Sequence, residues 1–194
     1  LQLGFLKFLR GTKMLDMVDE HEYIYSDKAP YEIISNKYMT NSDLKEIEMV
    51  EKSLNRYYND GIVPKLFNYL LDNNMVNSYY NFFKGLYKDI NHYQKHDLFV
   101  ILDDYLNLLF PEKYDYLHHL LLIDYLENFK VKPKIWWNYE KIENRTELFK
   151  TISEKIPSLT QELLYRYSVV LIHKNQVFLI IYKDFNSISY TITL

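Results

Sequence analysis

The sequence predicts a mainly α fold: an irregular bundle of about six helices followed by a small antiparallel β meander at the C-terminus, an α+β arrangement. Apolar residues recur at helical spacing from Leu44 to about Tyr165, then switch to alternating, β-branched segments after Ser168. The hydrophobic share of 48% is enough to build a core, and only 4 of the 194 residues are Gly.

Taken in order, residues 1–14 form an apolar entry segment whose strand-like run ends on Gly11-Thr12, and residues 15–41 are mixed and turn-rich. Ala29-Pro30 requires an extended residue before the proline. The first helix has Leu44, Ile47, Val50, Leu54 and Tyr57 on one face, with Lys45, Glu46, Glu48 and Lys52 on the other. Thr40, Asn41 or Ser42 can cap it, and Asn59-Asp60-Gly61 stops it. Pro64 opens a short helix through Leu71. A helix over 78–90 turns Tyr79, Phe82, Phe83, Leu86 and Ile90 inward. Asp97 leads a strongly apolar helix that ends before Pro111.

A helix over 112–128 is apolar on more than one side, which calls for burial on more than one side. Lys130-Val-Lys-Pro-Lys134 and Trp136-Trp137 read as an irregular crossing, the tryptophans as a plug over the bundle end or a ligand platform. Helical patterns return over 145–156 and, capped by Pro157-Ser158, up to Tyr165. Strands are expected over 168–173, 177–183 and 188–194, with Val170, Ile172, Phe178 and Ile180 facing the late helices.

Composition excludes several classes of chemistry. Without Cys there is no disulfide, thiol nucleophile, zinc ribbon or thiolate-bound cluster within these residues. A net charge of -3 argues against a basic nucleic-acid surface. Interior apolar runs such as 120–123 are far short of the ~20 residues a bilayer requires, so no membrane partner is expected. With no leader pattern, the reading is cytoplasmic.

The motifs carrying chemistry are sparse. His92 and His96 are four apart, but Tyr93 stands where a zinc protease needs Glu, so both read as surface histidines. His118-His119 diverge by about 100° on a helix and cannot share a metal. Asp103-Asp104, and Asp124 with Glu127, could serve acid–base chemistry only if separate elements converge; solvated helix faces are the plainer expectation. No phosphate-binding glycine loop or nucleophile elbow is present. In Lys28-Ala-Pro-Tyr-Glu32 an aromatic ring and a carboxylate follow a rigid proline. Arg56-Tyr-Tyr-Asn-Asp-Gly61 gathers polar and aromatic groups at a helix C-terminus.

These segments carry a resemblance. Gln2-Leu-Gly-Phe-Leu-Lys7, with Leu9 and Gly11-Thr12, resembles the phrase that closes the catalytic barrel of radical S-adenosylmethionine enzymes bearing a cobalamin-binding domain. Ala29-Pro-Tyr-Glu32, Glu51, Tyr57-Tyr-Asn59 and Gly61 are similar to the accessory domain after that barrel, a domain of unknown function numbered 4080. Asp60 departs from the Ser expected there, and the similarity is weakest from Asn144 onward.

The resemblance implies a parent enzyme that uses a [4Fe–4S] cluster, S-adenosylmethionine and cobalamin, none of them held by this chain. It divides the chain into a barrel-end segment (1–14), a helical accessory domain (15–165) and a β meander (166–194). The upstream barrel is the expected partner, and Tyr31, Glu32, Tyr57 and Asn59 are the expected substrate or interdomain contacts. No catalytic or metal-ligating residue is assigned. A protein–protein docking module or homodimer stands as the alternative, and a freestanding enzyme built on Asp103 and Asp124 as a third reading.

Overall fold

In the computed structural model, residues 2–89, 93–132, 141–173, 175–183 and 187–193 are described. In chain order the helices are α1 (Val18–His21), α2 (Asn41–Leu54), α3 (Pro64–Asp72), α4 (Tyr79–Leu86), α5 (Lys95–Leu109), α6 (Tyr114–Phe129), α7 (Arg145–Lys155) and α8 (Gln161–Tyr167). The strands are β1 (Ile24–Tyr25), β2 (Ile33–Ser35), β3 (Ser168–His173), β4 (Gln176–Ile181) and β5 (Ile188–Thr193). The fold is mainly helical α+β, with the C-terminal meander in place. The chain forms two compact units of discontinuous stretches: unit 1 from Leu1–Asp60 and Met75–Ile90, unit 2 from Gly61–Asn74 and Asn91–Leu194. These units cut the chain elsewhere than the three segments read from the sequence.

In unit 1, Thr40 caps α2: its hydroxyl accepts from the Asp43 amide at 3.2 Å, and the Asp43 carboxylate accepts from the Thr40 amide at 2.8 Å. The inward face holds as expected, with Leu44, Val50, Leu54 and Tyr57 all buried. Tyr57 lies in a π-helical turn, Asn55–Asn59, in which the Asp60 amide reaches five residues back to the Asn55 carbonyl at 3.0 Å. Gly61 follows at φ 62°, a conformation that costs glycine little. Ser78 caps α4, which turns Phe82, Phe83 and Leu86 inward. It stops earlier than expected because Tyr87 is extended; Ile90 lies outside the described residues.

The turn-rich stretch holds more structure than local pattern shows: a 3-10 turn at Lys13–Met17, α1, and an antiparallel pair β1–β2. The opening segment joins that pair. The Phe8 amide donates to the Tyr31 carbonyl and the Ile33 amide to the Leu6 carbonyl, both at 2.9 Å, while Lys7 bridges Glu32. Phe8, 2% exposed, stacks on Tyr25 at 4.3 Å and packs with Ile33 and Leu44. Phe5 is partly buried there, while Leu6 stays exposed.

In unit 2, β3, β4 and β5 form a three-stranded antiparallel sheet in sequence order. Val170 pairs with Leu179 and Leu171 with Phe178. Alternation therefore puts Val170 and Ile172 on one face, Phe178 and Ile180 on the other, and not on a single inward face. Val170, Val177, Leu179 and Ile192 pack on Leu148, Phe149 and Ile152 of α7 and on Leu164 of α8. Leu171, Phe178 and Ile180 pack on Leu122 and Leu126 of α6. The run Val177–Ile181 is buried throughout, as a strand covered on both faces must be. Thr160, not Pro157-Ser158, caps α8.

Candidate functional site

Unit 2 contains a cavity of about 550 Å³ where the end of α6, the start of α7 and the start of β3 meet. The local structure explains the gathering of its side chains. α6 ends with Lys130 in the left-handed conformation, φ 55°, its amide bonded to the Leu126 carbonyl at 2.8 Å, and Lys132 follows two residues on. Lys141 and Ile142 lead into α7, whose first residue is Arg145 and whose cap is Asn144, accepting from the Glu147 amide at 3.1 Å. β3 supplies Ser168, Val169 and Val170; the Ser168 hydroxyl is occupied by the Leu164 carbonyl.

Four cations, Lys130, Lys132, Lys141 and Arg145, therefore line one cavity, and no carboxylate is among its described lining residues. The Arg145 guanidinium is held over the Phe149 ring at 4.9 Å and the Tyr165 ring at 5.6 Å. The Lys130 ammonium lies 6.0 Å from the centre of the Tyr182 ring. Burial, and then the Arg145 charge, hold the Lys132 ammonium below its ordinary pKa. Among the described residues, no carboxylate lies within ion-pair distance of Lys130, Lys141 or Arg145. Sequence reading passed over this cluster because its members are split between 130–132 and 141–145. The dense lysines of 130–134 were the available signal. Trp136-Trp137 and His92 lie outside the described residues.

The four residues expected to contact substrate or the upstream barrel, Tyr31, Glu32, Tyr57 and Asn59, all lie in unit 1. Tyr31 has φ 58°, is half-buried beside Phe8, and Glu32 carries the bridge to Lys7. Asn59 is exposed and donates to Asn55, which donates to Glu51 at 2.6 Å, a polar line along one helix face. Tyr57 is 2% exposed, part of the core, so its ring is not presented at the surface.

Asp103 and Asp124 are not on solvated faces. Asp124 is fully buried and accepts from the Lys65 and Leu66 amides at 3.1 and 3.0 Å. It caps α3, whose own cap position, Val63, has no side-chain acceptor. Burial outweighs those two bonds and pushes its pKa up to about 7. Asp103 accepts from the Tyr114 hydroxyl at 2.9 Å and pairs with His118 Nδ1 at 2.5 Å, linking α5 to α6. Burial, with that bond to Asp103, raises the Tyr114 pKa far above its ordinary value. Both carboxylates are committed to holding helices. Among the described residues no group of three or more His, Asp or Glu side chains is placed to hold a metal.

Mainly helical architecture with two small antiparallel sheets defines the class of this protein. The chain belongs to the family described as Protein of unknown function (DUF4080), whose model matches residues 19–187. The match runs past Asn144 and takes in β3 and β4, ending at residue 187, just before β5. Comparisons with curated proteins and with solved structures find no match.

Proposed function

We propose that the chain is a non-catalytic C-terminal accessory domain of a cobalamin-dependent radical S-adenosylmethionine enzyme, covering the mouth of its catalytic barrel and aiding substrate capture. The observation that carries this reading is the pairing of the opening segment, through Leu6, Lys7 and Phe8, with residues 31–33. The phrase resembling a barrel end and the Ala29–Glu32 phrase thus form one structural element. Barrel active sites open at the C-terminal ends of the strands, where an attached domain can reach, and radical chemistry gains from exclusion of water. Ile24 of β1 and Ile34 of β2 are 58% and 38% exposed, apolar surface suited to the upstream barrel. The cluster, S-adenosylmethionine and cobalamin belong to the barrel part in this reading, since a chain without Cys offers no thiolate ligands. A cytoplasmic location goes with it.

The test uses the full-length enzyme carrying Tyr31→Ala, Glu32→Ala or Asn59→Ala. Turnover should fall and S-adenosylmethionine cleavage without product should rise. If both stay at the parent's values in all three variants, the accessory role is wrong. The exposed Ile24 and Ile34 equally favour a second reading, docking to another copy of the chain. Light scattering separates the two: a concentration-dependent dimer abolished by Ile24→Lys supports docking, and a strict monomer removes it.

A further inference from the structure

We propose that the unit 2 cavity is a binding site for a small phosphorylated molecule, its phosphate groups taken by Lys141, Arg145, Lys130 and Lys132. The site is independent of the accessory role. Its volume of about 550 Å³ falls in the ~300–1,000 Å³ range of small-molecule sites. Four cations around one hollow repel one another, and the chain as a whole carries a net charge of -3, so this local excess is not a by-product of a basic protein. A ligand with two or more negative charges relieves the repulsion. A phosphate group carries a charge of roughly -1.5 to -2 with three acceptor oxygens, more than a single carboxylate offers.

The side chains suit that role in different ways. Contact with the Phe149 and Tyr165 rings restrains the Arg145 guanidinium, a planar fork able to take phosphate oxygens bidentately. Lys132 is partly desolvated and its charge is disfavoured by burial and by Arg145; an anion beside it favours the charged form. Ile142 and Val170 give apolar wall against which the rest of the ligand packs.

Calorimetric titration of the chain at low ionic strength, with inorganic pyrophosphate, ADP, adenosine and citrate as probes, tests the assignment. Pyrophosphate and ADP should bind saturably at one site, weaken as NaCl is raised, and lose at least tenfold in affinity in Lys141→Ala and Arg145→Ala. Arg145→Lys, which keeps the charge but not the fork, should fall between. Lys150→Ala, on an exposed position of the same helix, should leave binding unchanged. Circular dichroism confirms that the variants keep their fold. Absence of saturable binding by both phosphates overturns the proposal, as does binding that Lys141→Ala and Arg145→Ala leave intact. Citrate binding as tightly as pyrophosphate rejects phosphate as the class, and adenosine matching ADP assigns recognition to the base instead.

Discussion

In unit 1, Glu46 takes the Tyr80 hydroxyl at 2.8 Å and the Lys84 ammonium at 2.5 Å on a half-exposed helix face, whereas in unit 2 Asp124 takes two backbone amides with no exposure at all. Both carboxylates hold a second helix, yet water changes the outcome. The bonds from Lys84 and Tyr80 pull the Glu46 carboxyl below its ordinary pKa, because its charge remains solvated. Burial pushes Asp124 the other way, to about 7, even though it accepts two bonds. The links of Glu46 are replaceable; those of Asp124 are conditions of packing.

Substitutions grade that contrast. Asp124→Ala should have the largest effect: it leaves the Lys65 and Leu66 amides buried without an acceptor, at a cost of roughly 2–4 kcal/mol in urea unfolding. Asp103→Ala should follow at about 1–3 kcal/mol, since the Tyr114 hydroxyl and His118 lose a buried acceptor. Stability should also depend on pH through Asp124. Its folded-state pKa of about 7 lies above the ordinary 3.8, so folding favours the protonated form. The contribution is complete below about pH 4 and is lost as pH rises through 7. Asp124→Asn should flatten that part of a series of urea midpoints taken from pH 4 to 8; an unchanged slope would mean that other groups carry it. Thr40→Ala, which removes the surface capping box of α2, should cost about 1 kcal/mol. Lys84→Ala should shift the midpoint least, within the scatter of the measurement. A Lys84 effect equal to that of Asp124 would break the contrast between the units.

What sequence could show follows the range of the forces involved. Helices α2, α3, α5, α6 and α7 were legible from periodicity, Pro64 and the stop at Gly61, because those signals act within a turn or two. The meander was legible from β-branched alternation, yet the set Val170, Ile172, Phe178 and Ile180 was given one face when it spans two. Assigning faces needs the pairing register, a property of two strands. Asp103 and Asp124 read as solvated because their partners stand 11 to 59 residues away in sequence. The same distance hid the cationic cavity and the bond between the Leu6–Phe8 segment and residues 31–33. Among the proposed contacts, Tyr57 misled for another reason: a tyrosine at an inward helical position is core, whatever its hydroxyl could do elsewhere.

The discontinuous make-up of the units limits how the molecule can be divided. A stop after residue 60 would strip unit 1 of α4, leaving the apolar face of α2 without Phe82, Phe83 and Leu86. A start at residue 91 would deprive unit 2 of α3, leaving Asp124 buried with no amides to receive. Neither piece keeps its own interior; residues 1–90 are needed to hold all of unit 1 and residues 61–194 to hold all of unit 2, so the two units overlap along the chain.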